Sequence, residues 1–379
     1  SYFHLFVSTA YFLPILGAIL ADAFWGKYRT IIILSLIYCA GHLSLFLDDT
    51  RLGLIFGLTL IAIGSGGIKP SIASNVGDQF SQANRHLLSR AFSWYYFGIN
   101  IGSSTSSLMT PWLLENYGPS VAFGVPGIFM LLATVTYWLG RNKFVHVPPA
   151  GKSYIEDLMG SEGQRVAKRL LVIYLLVAAF WSLFDQMGST WVIQAQSLNR
   201  EIFGYEMLPA QIQAANPFLI LILIPIFSYI VYPFMSRFFR VTTKRKMCIG
   251  MFLAATPFLV TAWIETQLLN GLIPHIGWQL LAYFLLTTAE VMLIVTCLEF
   301  SYTQAPQKMK SFVMAFFYLS ISAGNLFTAL VNQIIQRPDG SSLLEGAMYH
   351  LFFAGFMGFF ALLFFIYMRY YQEEYIIQE

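Results

Sequence analysis

Residues 277–302 read GWQLLAYFLLTTAEVMLIVTCLEFSY, an apolar run with two carboxylates, Glu299 near its end and Glu290 close to its middle. A bilayer core about 30 Å thick needs about 20 apolar residues at about 1.5 Å each, so this run is long enough to cross. An ionisable group at that depth costs about 2.5–3.5 kcal/mol on insertion scales, and calls for a partner or a water-filled cavity. One stretch therefore makes two statements: the chain spans a membrane, and something polar is handled inside it.

The rest of the sequence follows the same pattern. Cutting wherever charge, Gly or Pro clusters interrupt such runs predicts eleven spans, at 1–21, 30–47, 53–76, 91–111, 120–140, 169–194, 211–236, 246–268, 277–302, 310–334 and 347–368. Hydrophobic residues make up 57% and charged residues 11% of the 379 positions, against about 25% charged in soluble proteins. Cys39, Cys248 and Cys297 all lie in apolar runs and read as small buried hydrophobes, not as a disulfide framework or a metal cluster.

The connectors alternate in charge. One side carries Lys27, Arg29, Arg85, Arg90, a cluster from Arg141 to Arg169, another from Arg237 to Lys246, then Lys308, Lys310 and Arg369; the other side carries Arg51, Arg200 and Arg337. The positive-inside rule makes the first side cytoplasmic, which places the C-terminus inside and residue 1 outside. Nothing ahead of the first span resembles an exported domain or a signal, so one further helix is expected before Ser1. The polar connector 141–168, with Pro148, Pro149, Gly151, Gly160 and Gly163, divides the spans into five and six. The expectation is an all-α membrane protein of the major facilitator fold, with eleven transmembrane helices present of twelve. They form two helical bundles, an N-terminal one at 1–140 and a C-terminal one at 169–379, that rock around a site near the midplane.

Four ionisable groups within spans are candidates: His4, Lys69, Asp185 and Glu290. Tyr11, Asn100 and Glu290 fall near mid-depth, Lys69 deeper toward the cytoplasm, and His4, Asp185 and Asn216 in the outer half. Polar groups from six spans at comparable depth suit a cavity between two bundles. Blander roles exist for each: His4 bonded to a neighbouring backbone, Lys69 snorkelling to the headgroups, and Trp181, Phe184 and Phe317 as packing. Gly64-Ser-Gly-Gly-Ile-Lys69 lacks the spacing of a phosphate loop and lies inside a span, where small residues allow helices to approach. No HExxH, paired Cys ligands or GxSxG is present, so enzyme readings have no support.

Three ordered stretches resemble the proton-coupled oligopeptide transporters, the peptide and nitrate transporter family. They are Gly17-Ala-Ile-Leu-Ala-Asp22-Ala-Phe-Trp-Gly26-Lys27-Tyr-Arg29, then Gly64-Ser-Gly-Gly-Ile-Lys69-Pro70 running on to Gly77-Asp78-Gln79-Phe80, and Tyr95-Tyr96-Phe97-Gly98-Ile99-Asn100-Ile101-Gly102-Ser103. Phe180-Trp181-Ser-Leu-Phe184-Asp185-Gln186, Asn216-Pro217 and Leu298-Glu299-Phe300 through Pro306 extend the resemblance over essentially the whole chain. Departures are Ala289, Ile294, Phe317 and Ser104, where the family favours other residues, and a linker too short for the two extra helices of many bacterial members.

The resemblance implies import of di- and tripeptides, and of peptide-like drugs, by proton-coupled symport in a bacterial inner membrane. It implies a monomeric transport unit, no cofactor beyond protons as the coupling ion, and no nucleic-acid partner. By position, Tyr11, Lys69, Asn100, Trp181, Asn216 and Glu290 match peptide-cavity residues. His4 and Asp185 match a pair near the outer gate, and Gly17, Asp22, Gly26 and Lys27 match the cytoplasmic signature turn. Glu290 would hold the peptide ammonium and Lys69 its carboxylate, while Asp185 would pair with His4 or Lys69 and respond to protonation. The family's ExxERFxYY motif has no counterpart, so this chain alone is expected to be inactive. The alternatives are carriage of nitrate or another small solute, and a nontransporting nutrient sensor.

Overall fold

The computed structural model describes residues 13–48, 50–151, 154, 156, 159–202, 204–336 and 342–372. Helix α1 (Leu13–Trp25) ends in a π-helical turn over Leu20–Trp25. Gly26 follows at φ 76°, a left-handed conformation that is cheap only without a Cβ, and the chain reverses at once into α2 (Lys27–Leu47). Helix α3 (Arg51–Asp78) is capped by Thr50, whose hydroxyl accepts the Gly53 amide at 3.1 Å. Helix α4 (Leu88–Leu139) is broken at Gly118, at φ 83°. Pro119 then opens the second limb, where its missing N–H is not needed.

Beyond the linker come α5 (Ser161–Phe184), a 3-10 turn at Asp185–Gly188 and α6 (Thr190–Gln196). A hairpin of β1 (Glu201–Ile202) and β2 (Tyr205–Glu206), paired antiparallel, lies between α6 and α7 (Ala215–Ile226). After a π turn at Phe227–Val231 follow α8 (Tyr232–Met235), α9 (Thr243–Leu253), α10 (Thr256–Leu269), α11 (Gly277–Gln304), α12 (Lys310–Ile335) and α13 (Ala347–Tyr370).

Ten of the eleven predicted spans correspond to one of these helices, helix limbs or helix pairs; of the first, 1–21, residues 13–21 lie in α1 and the rest lie outside the described residues. Among the described residues nine stretches are long and apolar enough to cross a membrane. The first limb of α4 is not one of them, because residues 103–107 are Ser-Ser-Thr-Ser-Ser. The span predicted at 169–194 begins earlier, at Ser161, and breaks at Asp185. Hydropathy trims its start because Gln164, Arg165, Lys168 and Arg169 occupy the first turns.

In the first bundle α2 lies against α3 and α4; in the second α5 packs on α12 and α13, and α9 and α10 pack on α11 and α13. Lipid supplies no hydrophobic drive between helices, so close approach of small residues does that work. A Cβ on Gly17 would lie 2.0 Å from Gly67 Cα, and one on Gly66 would lie 2.3 Å from Leu13 Cβ. The glycines before Lys69 are thus the seam between α1 and α3.

Candidate functional site

Glu290, on α11, is 2% exposed and sits where the bundles meet. The hydroxyl of Tyr96, on α4 of the first bundle, donates to Oε1 at 2.5 Å. The amide of Asn216, in the first turn of α7, donates to Oε2 at 2.7 Å and to Thr287 Oγ1 at 3.1 Å. Both carboxylate oxygens are therefore held by side-chain donors from outside α11, as a buried carboxylate requires. Asn100 stands one turn beyond Tyr96 on the same face and donates to its carbonyl at 2.9 Å. Tyr95 reaches the other way and pairs with the hydroxyl of Tyr318 on α12. Adjacent tyrosines of one helix thus grip two helices of the opposite bundle.

Trp181, on α5, is buried against Phe184 and Phe317, with ring centroids at 5.3 and 6.0 Å. Asp185 lies one turn further on, with Asn325 of α12 as its polar neighbour. Its Oδ2 and the Trp181 Nε1 are buried without a hydrogen-bond partner among the described residues. Lys69 is exposed on α3 and makes no ion pair there with Asp185 or any other described residue. His4 and Tyr11 lie outside the described residues. The structure therefore joins Glu290, Asn216 and Asn100 through Tyr96, and leaves Lys69 and the Trp181–Asp185 turn apart from them.

At the end that carries the basic connectors, a second buried network joins the bundles. Lys27, at the start of α2, forms an ion pair with Asp78 Oδ2 at the end of α3; the two are 5% and 2% exposed. Tyr302 of α11 donates to Asp78 Oδ1 at 2.9 Å, with its ring over Gly77, where a Cβ would lie 2.3 Å from it. Lys310, 1% exposed, donates to the Tyr302 carbonyl at 2.8 Å and stands 4.0 Å from the ring centre. Asp22 accepts the Phe312 amide at 3.0 Å in the first turn of α12, where a helix favours negative charge. Ser74 and Ser311 share a hydrogen bond of 2.8 Å.

The linker closes over this network. Ala150 and Gly151 donate to the carbonyls of Asp22 and Ala23 at 2.9 and 3.0 Å, and Tyr154 is buried against Ala23 and Met309. Burial, with the Asp22 carboxylate nearby, pushes the Tyr154 phenol up, so it stays neutral.

Lys27 and Lys310, which read as connector charges in the sequence, are thus interior groups of this latch. On the far half of α4, by contrast, Ile101, Gly102, Ser103 and Thr105 to Leu108 are exposed, and nothing stands within 4 Å of a Cβ built on Gly98 or Gly102. Tyr96, Asp78, Tyr302 and Lys310 are residues to which the sequence alone assigns no role. The available signal for Tyr96 was its position four residues before Asn100, which puts the two on one helix face.

Comparison with known proteins agrees with this architecture. The sequence model described as the POT family matches residues 28–161 and 155–349. Solute carrier family 15 member 2 of Rattus norvegicus is 36% identical over 326 residues, covering 72% of this chain and 44% of the relative. Solute carrier family 15 member 1 of Homo sapiens is 31% identical over 329 residues, covering 70% and 46%. The chain thus spans less than half the length of these curated relatives. Among solved structures, an auto-inhibited POT family peptide transporter superposes with a TM-score of 0.75 at 35% identity, covering 100% of this chain and 89% of that one. A POT family transporter crystallised in meso gives 0.76 at 36% identity, covering 99% and 90%. The chain belongs to the POT family of membrane transporters, with the two-bundle major facilitator fold.

Proposed function

We propose that this chain carries the substrate site and gates of a proton-coupled symporter that imports di- and tripeptides by alternating access. The observation that carries the reading is the Glu290 carboxylate, buried at mid-depth and held by Tyr96 from one bundle and Asn216 from its own. A carboxylate so placed is matched to the ammonium end of a peptide, and a nitrate carrier would have no use for it. Lys69, exposed and unpaired among the described residues, is the cation for the peptide's other end. Asn100 and Asn216 both donate and accept, so they suit backbone amides and tolerate varied side chains. Peptide-like drugs with the same two charged ends fit the same chemistry.

Two further observations support alternating access. The basic connectors make the latched end cytoplasmic, so the Lys27–Asp78–Tyr302–Lys310 network is a closed inner gate. Asp185, half-buried with its Oδ2 out of solvent and no cation beside it among the described residues, is a group whose charge state would bias a gate, and His4 or Lys69 is its expected partner. The transport unit is read as a monomer in a bacterial inner membrane, needing no cofactor beyond the coupling proton. The test is uptake of labelled dipeptide into liposomes holding the full-length protein under an imposed pH gradient. Gradient-driven accumulation competed by unlabelled dipeptide and not by nitrate is expected. Normal gradient-driven uptake by Asp185→Asn would remove that residue from coupling.

A further inference from the structure

At the end of the second bundle opposite the basic connectors, a cavity of about 560 Å³ opens among α6, α10, α12 and α13. Its walls include Thr190, Gln194, Glu265, Asn332, Tyr349 and His350, with Glu345 at the rim; no Lys or Arg lines it among the described residues. None of these residues belongs to the Glu290 site or to the latch. The described lining therefore carries negative charge, lies within one bundle, and shares no residue with the transport path described above.

The wall is ordered by a buried polar chain behind it. Gln279 donates to the Trp191 carbonyl at 2.7 Å and to Gln194 Oε1 at 3.3 Å. Gln194, itself buried, donates from Nε2 to the Thr261 carbonyl at 3.1 Å and to Glu265 Oε1 at 2.8 Å, which fixes that carboxylate. His350, 2% exposed, is fixed by Thr261, whose Oγ1 lies 3.0 Å from Nδ1. The single Thr261 hydroxyl proton goes to the Phe258 carbonyl at 3.2 Å. With that proton on Phe258 the hydroxyl accepts from His350 Nδ1, and in this tautomer Nε2 of the neutral ring presents a lone pair. Nε2 makes no hydrogen bond among the described residues, and stands 3.9 Å from Glu265 Oε1, too far for one between them.

Two acceptors at that separation, one of them charged, form a fork for a compact cation with several N–H donors. We propose that this pocket is a second ligand site, separate from Glu290, that takes a small primary ammonium group, whether of a free amine or of a peptide N-terminus. A quaternary ammonium has no N–H to offer the fork. A metal ion would need more ligands, and among the described residues no group of three His, Cys, Asp or Glu assembles. The inference does not depend on peptide transport.

The test is titration calorimetry of the full-length protein carrying Glu290→Gln, so that the central carboxylate takes no part. Butylammonium chloride should bind saturably at one site, tetramethylammonium and butanol should not, and Glu265→Gln should weaken binding at least tenfold, as loss of a charge-assisted bond does. Thr261→Val, which releases the His350 ring, should weaken it severalfold. A readout on the unmutated protein guards against misfolded variants: butylammonium should slow modification of His350 by diethyl pyrocarbonate, followed by mass spectrometry. Alanyl-alanine and its N-acetyl form identify the source. Binding of the first alone points to peptide N-termini, and binding of butylammonium without either points to free amines. Absence of saturable butylammonium binding, equal binding by Glu265→Gln, or equal binding of tetramethylammonium would overturn the proposal.

Discussion

The Tyr96 hydroxyl donates to Glu290 Oε1 at 2.5 Å, across 194 positions of sequence and from one bundle to the other. The carboxylate that would hold substrate is thereby also a strut between the two halves. Binding and conformation are then biased by the same atoms, which is what coupling requires.

Tyr96→Phe removes that strut and leaves Oε1 without its donor. A hydrogen bond to a charged group contributes about 1.5–3 kcal/mol, so the balance between conformations should shift about tenfold or more toward the open inner gate. Spin labels at the exposed positions Arg85 and Arg237, one on each bundle at the basic end, should report a longer distance population. An unchanged distance distribution would count against the strut.

The latch makes a sharper energetic prediction. Lys27→Met leaves the Asp78 carboxylate buried without its paired cation, and breaking a buried pair this way costs about 3–5 kcal/mol. Adding Asp78→Asn removes the stranded charge and keeps an acceptor for Tyr302, so the double variant should recover part of the loss. Thermal melting in detergent measures this. Additive losses in the double variant would mean that the two residues do not act as a pair.

Glycine substitutions should divide by location. Gly17→Ala drives a methyl into Gly67 Cα, 2.0 Å away, and should destabilise by about 1–3 kcal/mol or more through overpacking. Gly98→Ala meets nothing within 4 Å and should gain about 0.5–1 kcal/mol of helix propensity. Melting temperatures that move the same way would contradict the α1–α3 seam.

What could be read in the sequence depended on the range of the interaction. Span positions follow from local hydropathy, and Glu290 stands out because a charge in an apolar run is conspicuous from its neighbours alone. Its partner Tyr96 does not stand out, being an ordinary aromatic until the fold places it against a carboxylate. Lys27 and Lys310 were assigned to connectors for the same reason: at a helix end, a cation looks alike whether solvated or buried, and only Asp78 and Tyr302, distant in sequence, decide between the two. Of the two cations anticipated beside Asp185, His4 lies outside the described residues and Lys69 makes no ion pair with it. α5 breaks at Asp185 and turns that residue toward Asn325.

The central claim is that Glu290 receives the ammonium of a transported peptide. Its most direct test compares the full-length protein and its Glu290→Gln variant for binding of alanyl-alanine and for its proton-driven uptake in liposomes. The account predicts at least a tenfold loss of peptide affinity and loss of gradient-driven accumulation in the variant. Undiminished affinity with normal uptake would contradict it.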